Sequence, residues 1–220
     1  MKERPILFSG EMVRAILDGR KTMTRRVIKD PICTNKVIYA DAGLTWYGNY
    51  GLRKPCPYGE AGDRLWVKES HYAFGHWEHV GQTKTGKKKW KFVYNSKLIC
   101  FKPPQFGFLK SMCKDDPSYP QWYKRNSLFM PKWAARIWLE RTETRVESLV
   151  DISEEDAKAE GIEQDENKLF KCYNPKAGWL AIGDPVESYK TLWDSINGMV
   201  SWYDNPWVWV IEFKKVEVAK

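Results

Sequence analysis

The chain has 220 residues and carries 36 Lys and Arg against 28 Asp and Glu, which gives a formal net charge of +8 at pH 7. This basic balance favours an anionic partner such as a nucleic acid, because cationic side chains release the counterions of phosphate groups. At this length the chain is able to bury a full core, and one domain with insertions is expected over residues 1–220.

Several other classes are disfavoured. The sequence has no apolar run long enough to cross a membrane and does not start like a signal peptide, so the cytoplasm is the expected compartment. Five widely spaced cysteines without a C-x-x-C pair predict neither a disulfide framework nor a zinc knuckle. His71, His76 and His79 lack an acidic or thiol partner at helical spacing, so no metal site is predicted, and no cofactor is expected.

A short helix is predicted near the start of the chain. Ser9 has the side chain of an N-cap residue, and Gly19 stands where a left-handed residue ends a helix. Between them, apolar residues recur at roughly helical spacing, namely Met12, Val13, Ile16 and Leu17. The segment after Gly19 therefore begins where the helix ends.

That segment, Gly19–Arg26, places an amine, a hydroxyl and three guanidinium groups within a few residues. Lys21 and Thr24 share a face only if the backbone turns between them, because residues three apart in a strand point to opposite faces. A threonine hydroxyl becomes a nucleophile when a base takes its proton, and lysine serves as that base when burial or nearby cations lower its pKa. The nearby cations are Arg20, Arg25 and Arg26. A solvated basic surface turn is the alternative.

The segment from about residue 70 to 130 is rich in Lys, Pro, Gly and aromatic residues and shows little periodicity, so it is predicted to be a long irregular insertion. Within it, Lys87, Lys88 and Lys89 stand beside Trp90. A basic loop with an aromatic ring that can stack on a base is typical of nucleic-acid binding. A solvated hairpin is the alternative.

Regular structure is predicted again towards the end of the chain. Alternating polarity marks a strand over Ala135–Glu140, and another strand begins near Arg145. A helix before Gly198 has an apolar stripe at positions i, i+3, i+4 and i+7, made of Tyr189, Leu192, Trp193 and Ile196. The last strand is expected at Trp209–Phe213. Several strands with few, short helices predict an α+β fold built around a small barrel.

A second short helix is predicted to end at Glu160. Ser153 and Asp156 have the spacing of a capping box, and Gly161 terminates the helix. The negative end of the helix dipole disfavours an ionised carboxylate there, which suits Glu160 to proton transfer near neutral pH. An exposed glutamate at a helix end, without a chemical role, is the alternative.

Together these segments resemble the ASCH family, which belongs to the PUA-like β-barrels. The signature G-x-K-x-x-T-x-R is matched by Gly19, Lys21, Thr24 and Arg26, and Ile152–Ile162 looks like the short helix that carries a functional glutamate in that family. Blocks similar to the family's Gly-Asp strand entry and closing strand occur in the same order, at Gly62–Val67 and Trp209–Phe213. The opening run Arg4-Pro-Ile-Leu-Phe-Ser9 is similar to that of the larger, prophage-type members.

The resemblance implies a fold and an activity. The fold is a PUA-like β-barrel with short flanking helices, here with the long insertion at about 70–130. Some small bacterial ASCH proteins are amidohydrolases that remove the acetyl group from N(4)-acetylcytidine, and by position their catalytic set corresponds to Lys21, Thr24 and Glu160. Thr24 is then the nucleophile, Lys21 the base and Glu160 the residue that transfers protons, while Gly19, Arg20, Arg25 and Arg26 form the substrate-binding side.

Other functions stay open, because other ASCH proteins are regarded as RNA binders or nucleases and a fold does not choose an activity. The same basic cleft is able to hold RNA or a modified base without turnover, or to cleave RNA. A phage protein that blocks or mimics a host factor is compatible with the prophage-type resemblance but has no residue-level support. The substrate and the oligomeric state are not predicted.

Overall fold

The structure, a computed structural model, describes residues 1–29, 40–41, 45–47, 53–105, 107, 116–173 and 181–217. Its helices are α1 (Gly10–Leu17), α2 (Glu154–Ala159) and α3 (Pro185–Asn197). Its strands are β1 (Glu3–Leu7), β2 (Met23–Val27), β3 (Ala40–Asp41), β4 (Thr45–Tyr47), β5 (Arg53–Pro55), β6 (Arg64–Lys68), β7 (His71–Gln82), β8 (Lys88–Cys100), β9 (Gln121–Arg125), β10 (Trp138–Ser148), β11 (Phe170–Lys171), β12 (Ala181–Ile182) and β13 (Trp207–Val216). The described part of the chain is therefore α+β and rich in strands, as predicted.

The largest sheet has five strands in the order β1-β6-β10-β13-β2. Strand β13 lies between β10 and β2 and pairs antiparallel with both. Its residues Val208–Ile211 are buried in succession, which is the pattern of a strand covered on both faces. The sheet has two edges, β1 and β2, so the described strands do not close into the barrel that the sequence predicts. Closure depends on strand tilt and register, which the local pattern of each strand does not encode.

The strand predicted at Ala135–Glu140 and the one predicted near Arg145 are a single strand, β10. Its register against β13 shifts between Arg141 and Glu143. Such a bulge inserts an extra residue and interrupts the alternation of polarity. This interruption explains why the sequence pattern indicates two strands instead of one.

Two of the predicted helices are present: α3 ends before Gly198 and α2 has Ser153 as its N-cap, both as predicted, while α2 ends at Ala159, one residue before Glu160. Helix α3 begins after Asp184, whose carboxylate accepts a hydrogen bond from the Val186 amide at 2.8 Å, and it ends at Gly198. Helix α2 begins after Ser153, whose hydroxyl accepts from the Asp156 amide at 3.1 Å. Helix α2 packs against α3 and β2.

The segment predicted to be an irregular insertion contains a second antiparallel sheet, in the order β8-β7-β9. Strands β7 and β8 form a long hairpin, and Ala73, Phe92 and Tyr123 pack as a small core on it. The prediction of an irregular segment is therefore wrong for the hairpin. In β8, Trp90, Phe92 and Tyr94 alternate with neighbouring residues, but β7 shows no such alternation and the register shifts twice, so the sequence pattern does not mark the hairpin as a whole.

The chain forms two compact units. The first comprises 1–6, 11–66 and 137–220, and the second comprises 7–10 and 67–136, so the second unit contains the hairpin and β9. Among the described helices, none combines the length and the apolar character needed to cross a membrane.

Candidate functional site

The signature segment is held by three elements of the first unit. The Lys21 amide donates to the Ala15 carbonyl of α1 at 3.0 Å, and the Thr22 amide donates to the Ala159 carbonyl at the end of α2 at 2.9 Å. The Phe213 amide of β13 donates to the Thr22 carbonyl at 2.9 Å. The chain therefore turns out of α1 directly beside the C-terminus of α2, although the two are far apart in sequence.

Gly161 makes this approach possible. It has a φ of +85°, and a Cβ atom added to it would lie 2.7 Å from the Lys21 Cβ and 2.9 Å from the Ala15 Cβ. Both values are below any normal contact, so a larger residue here would push the signature segment away from α2. Arg20 reinforces the junction, because its guanidinium donates to the Gly161 carbonyl at 2.9 Å.

Lys21 and Glu160 meet as a buried pair. The Lys21 Nζ lies 2.6 Å from the Glu160 Oε2 and 2.7 Å from the Glu160 carbonyl oxygen, and the two side chains are 0% and 1% exposed. Burial lowers the pKa of the Lys21 ammonium from its ordinary value, and the Glu160 carboxylate opposes this shift without reversing it. The contact is short enough for direct proton transfer between the two groups.

The second oxygen of the Glu160 carboxylate has its own neighbours. The Tyr189 hydroxyl donates to Oε1 at 3.3 Å, and the Arg25 Nη1 lies 3.6 Å from the same atom. Burial beside Glu160 holds the pKa of the Tyr189 phenol well above its usual range, so Tyr189 remains a hydrogen-bond donor. The sequence indicates Tyr189 only as part of an apolar helix stripe; its hydroxyl carries no pattern of its own.

Arg25 connects this pair to a wider set of charges. Its Nη2 lies 2.6 Å from Asp156 Oδ2 and 3.0 Å from Glu147 Oε2, and its side chain is fully buried. Arg145 contacts the same two carboxylates and also Glu212. Arg25 therefore points into the protein and holds α2 against β10, and the sequence gives no signal for its carboxylate partners.

Thr24 lies on β2, opposite Ile211 of β13. Its side chain is fully buried, and its hydroxyl makes no hydrogen bond within the part of the chain that the structure describes. The structure thus joins Lys21 directly to Glu160 but does not join Thr24 to either of them by a hydrogen bond. A buried hydroxyl without a partner is costly, and such groups are often found where a ligand or water completes the site.

The other predicted binding residues differ in position. Gly19 is exposed and has a φ of +77°, as expected for the end of α1. Arg20 is partly exposed and contacts Asp18 at 3.0 Å. Arg26 is half-buried, and its Nη1 donates to the Arg25 carbonyl at 3.1 Å.

A cleft of about 210 Å³ opens beside Glu160. Glu160 is one of its described lining residues, whereas Lys21 and Thr24 are not. Its wall combines cations, carboxylates and one aromatic ring, including Arg14, Arg20, Glu160, Glu163, Lys171 and Tyr173.

The predicted nucleic-acid loop lies at the tip of the β7–β8 hairpin in the second unit. Lys87, Lys88 and Lys89 are exposed, and Trp90 is half-buried with its ring edge-on to His79 at a centroid distance of 5.5 Å. The three lysines are solvated at the end of this hairpin, an arrangement that fits both the nucleic-acid loop and the solvated hairpin described above.

Metal ligands do not converge in the described residues, where no group of three His, Cys, Asp or Glu side chains is placed to hold an ion. Comparison with known proteins adds no assignment. A scan against protein-family models, a search of curated proteins and a search of solved structures each find no match to this chain.

Proposed function

We propose that this chain is an ASCH-family, PUA-like hydrolase that removes an acyl group from the exocyclic amine of an acylated nucleoside. One observation carries the proposal. Lys21 and Glu160, which belong to two separate motifs of the resemblance, lie 2.6 Å apart in a buried site next to a cleft. A solvated basic turn and an exposed helix-end glutamate would not meet in this way.

The chemistry follows from the state of each group. Burial favours the neutral amine of Lys21, which is the form that accepts a proton. The Thr24 hydroxyl attacks the amide carbonyl, Lys21 takes its proton, and the amine leaves after it is protonated through Glu160. Water then releases the acyl group from Thr24. Arg20, on the cleft wall, is placed to bind the ligand.

The test is incubation of the purified chain with a panel of acylated cytidines and short RNAs, followed by mass spectrometry. Loss of the acyl mass from a nucleoside supports the proposal. Thr24→Ala is expected to abolish turnover, since it removes the nucleophile, whereas Thr24→Ser keeps a hydroxyl and retains measurable activity. Binding without turnover, with Thr24→Ala as effective as the wild type, would instead indicate a binding module, and shortened RNA would indicate a ribonuclease.

A further inference from the structure

The positive charge of this protein is concentrated in one unit. Residues 67–136 contain fourteen Lys and Arg against four Asp and Glu, whereas the rest of the chain has slightly more acidic than basic residues. The whole net charge therefore resides in the second unit, which does not contain the Lys21–Glu160 site. An excess of cations on a small unit attracts a polyanion.

The same unit exposes large apolar side chains. Two short 3-10 turns, Ser127–Phe129 and Lys132–Ala134, carry them at the surface. Leu128 is 57% exposed, and Phe129 and Trp133 are 59% and 46% exposed; we call Phe129 and Trp133 the aromatic patch. Exposed apolar side chains that cluster within a polar rim often mark an interaction site.

The aromatic patch is held in a fixed orientation. The Asn126 side chain accepts a hydrogen bond from the Leu128 amide at 2.9 Å, and the Tyr94 hydroxyl donates to the Phe129 carbonyl at 3.3 Å. The Trp133 ring lies edge-on to Tyr94, with the centroids 5.5 Å apart. The backbone that carries Phe129 and the ring of Trp133 are therefore held in place while both rings remain exposed. This lowers the entropy lost when a flat ligand stacks on them.

Cations surround this patch. The Arg125 guanidinium lies 5.2 Å from the Phe129 ring centroid and 4.3 Å from that of Phe92, so it is interleaved with the aromatic side chains. No described carboxylate forms an ion pair with Arg125. Lys68 donates to the Leu128 carbonyl, and Lys132 belongs to the second turn. The nearby acidic residue Glu69 is neutralised by a bidentate contact with Arg136, with both distances 2.9 Å.

We propose that the aromatic patch, together with Arg125, is a binding surface for single-stranded nucleic acid. Unpaired bases offer ring faces to Phe129 and Trp133, and the backbone phosphates meet the cations of the same unit. In a duplex the base faces are stacked on one another and cannot contact these rings. An apolar protein partner would gain nothing from the positive charge of this unit. Lys89, near the hairpin tip, lies on β8 about 17 Å along the strand from Tyr94, which contacts Phe129 and Trp133.

The experiment measures binding of a fluorescein-labelled single-stranded RNA of mixed sequence to the full chain by fluorescence anisotropy. Phe129→Ala/Trp133→Ala is expected to weaken binding about tenfold or more, the effect of losing one or two stacked bases, with the salt dependence nearly unchanged. Tyr203→Ala is the matched control, because Tyr203 is 71% exposed and lies in the first unit. Its affinity should equal that of the wild type.

Two further measurements keep the proposal falsifiable. If the double variant is unstable in a thermal unfolding assay, Trp133→Phe and Trp133→Leu decide the question, since both keep an apolar side chain and only Phe keeps a ring. Binding retained by Phe and weakened by Leu supports stacking. Equal binding by these two variants overturns the proposal, and so does equal competition by a duplex of the same length.

Discussion

At the scale of single residues, the site depends on a lysine whose charge is unfavourable where it lies. The Lys21 ammonium is fully buried, and this lowers its pKa even though Glu160 stabilises the charged form. Lowering the pKa of a lysine increases the fraction of neutral amine at a given pH, which is what a general base requires. The Lys21–Glu160 contact is therefore informative about chemistry, whereas an exposed ion pair would not be.

We expect hydrolysis of an acylated nucleoside to rise with pH as Lys21 deprotonates, with a midpoint below the ordinary lysine value of 10.5. Lys21→Arg should be inactive, because a guanidinium keeps its proton throughout this range. Lys158→Arg, at a half-exposed position of α2, is the matched control and should follow the wild-type pH profile. Substantial activity in Lys21→Arg would make Lys21 an electrostatic clamp and leave Glu160 to activate the nucleophile.

Gly161→Ala should destabilise the first unit, because the new methyl group would overlap Lys21 and Ala15. The cost has two parts, about 1 kcal/mol for a left-handed backbone and about 1–3 kcal/mol for the overlap. Gly19→Ala measures the cost of the left-handed backbone alone, since Gly19 has a φ of +77° but no atom within 4 Å of its added Cβ. Chemical denaturation measures both variants. Equal losses of stability would show that the close approach of α2 to Lys21 does not exist.

At the scale of elements, the β7–β8 hairpin contains one position where the strands come unusually close. A Cβ atom added to Gly75 would lie 2.2 Å from the Val93 carbonyl oxygen and 2.6 Å from the Phe92 ring. The backbone of β8 cannot move aside without breaking its pairing with β7. This glycine therefore allows the Phe92 ring to lie across the strand in the core of the second unit.

We expect Gly75→Ala to destabilise the second unit by about 1–3 kcal/mol, the usual cost of overpacking. Hydrogen exchange of the β7 and β8 amides would report the effect locally. Gly10→Ala is the control, because Gly10 begins α1 and has nothing within 4 Å of an added Cβ, so its effect should be small or stabilising. Unaltered protection of β7 in Gly75→Ala would contradict this packing.

At the scale of the whole molecule, charge and buried chemistry are separated along the chain. The Lys21–Glu160 site lies in the first unit, and the excess of positive charge lies in the second. Electrostatic attraction and turnover should therefore respond to different substitutions. This separation makes the proposed hydrolase activity and the proposed nucleic-acid surface independently testable.

Replacing Lys87, Lys88 and Lys89 together by Gln should weaken RNA binding and flatten its salt dependence. Each lost phosphate contact reduces the slope of log K against log salt by about 0.7 for a single strand. Anisotropy titrations at several salt concentrations measure this slope. The three lysines are exposed, so the fold should be unaffected. If the triple variant has the same affinity and the same salt slope as the wild type, the hairpin tip has no role in RNA binding.

The sequence by itself determined the local features. The N-cap of α2, the glycines that follow α1 and α3 and the strand at Trp209–Phe213 all follow from interactions between residues close in the chain. The same local signals pointed to Lys21 and Glu160, because each belongs to a short motif at a helix end. They failed for the β7–β8 hairpin, in which β7 lacks a regular alternation, and for β10, whose bulge interrupts it.

Only the tertiary structure decided what these residues contact. Lys21 meets Glu160 because β2, β13 and the end of α2 are joined by long-range backbone hydrogen bonds, and no local pattern encodes that pairing. The partners of Arg25, the hydroxyl of Tyr189 beside the carboxylate and the exposure of Phe129 and Trp133 are likewise consequences of packing. Burial and the direction of a pKa shift depend on all surrounding atoms, so they emerge only once the chain has folded.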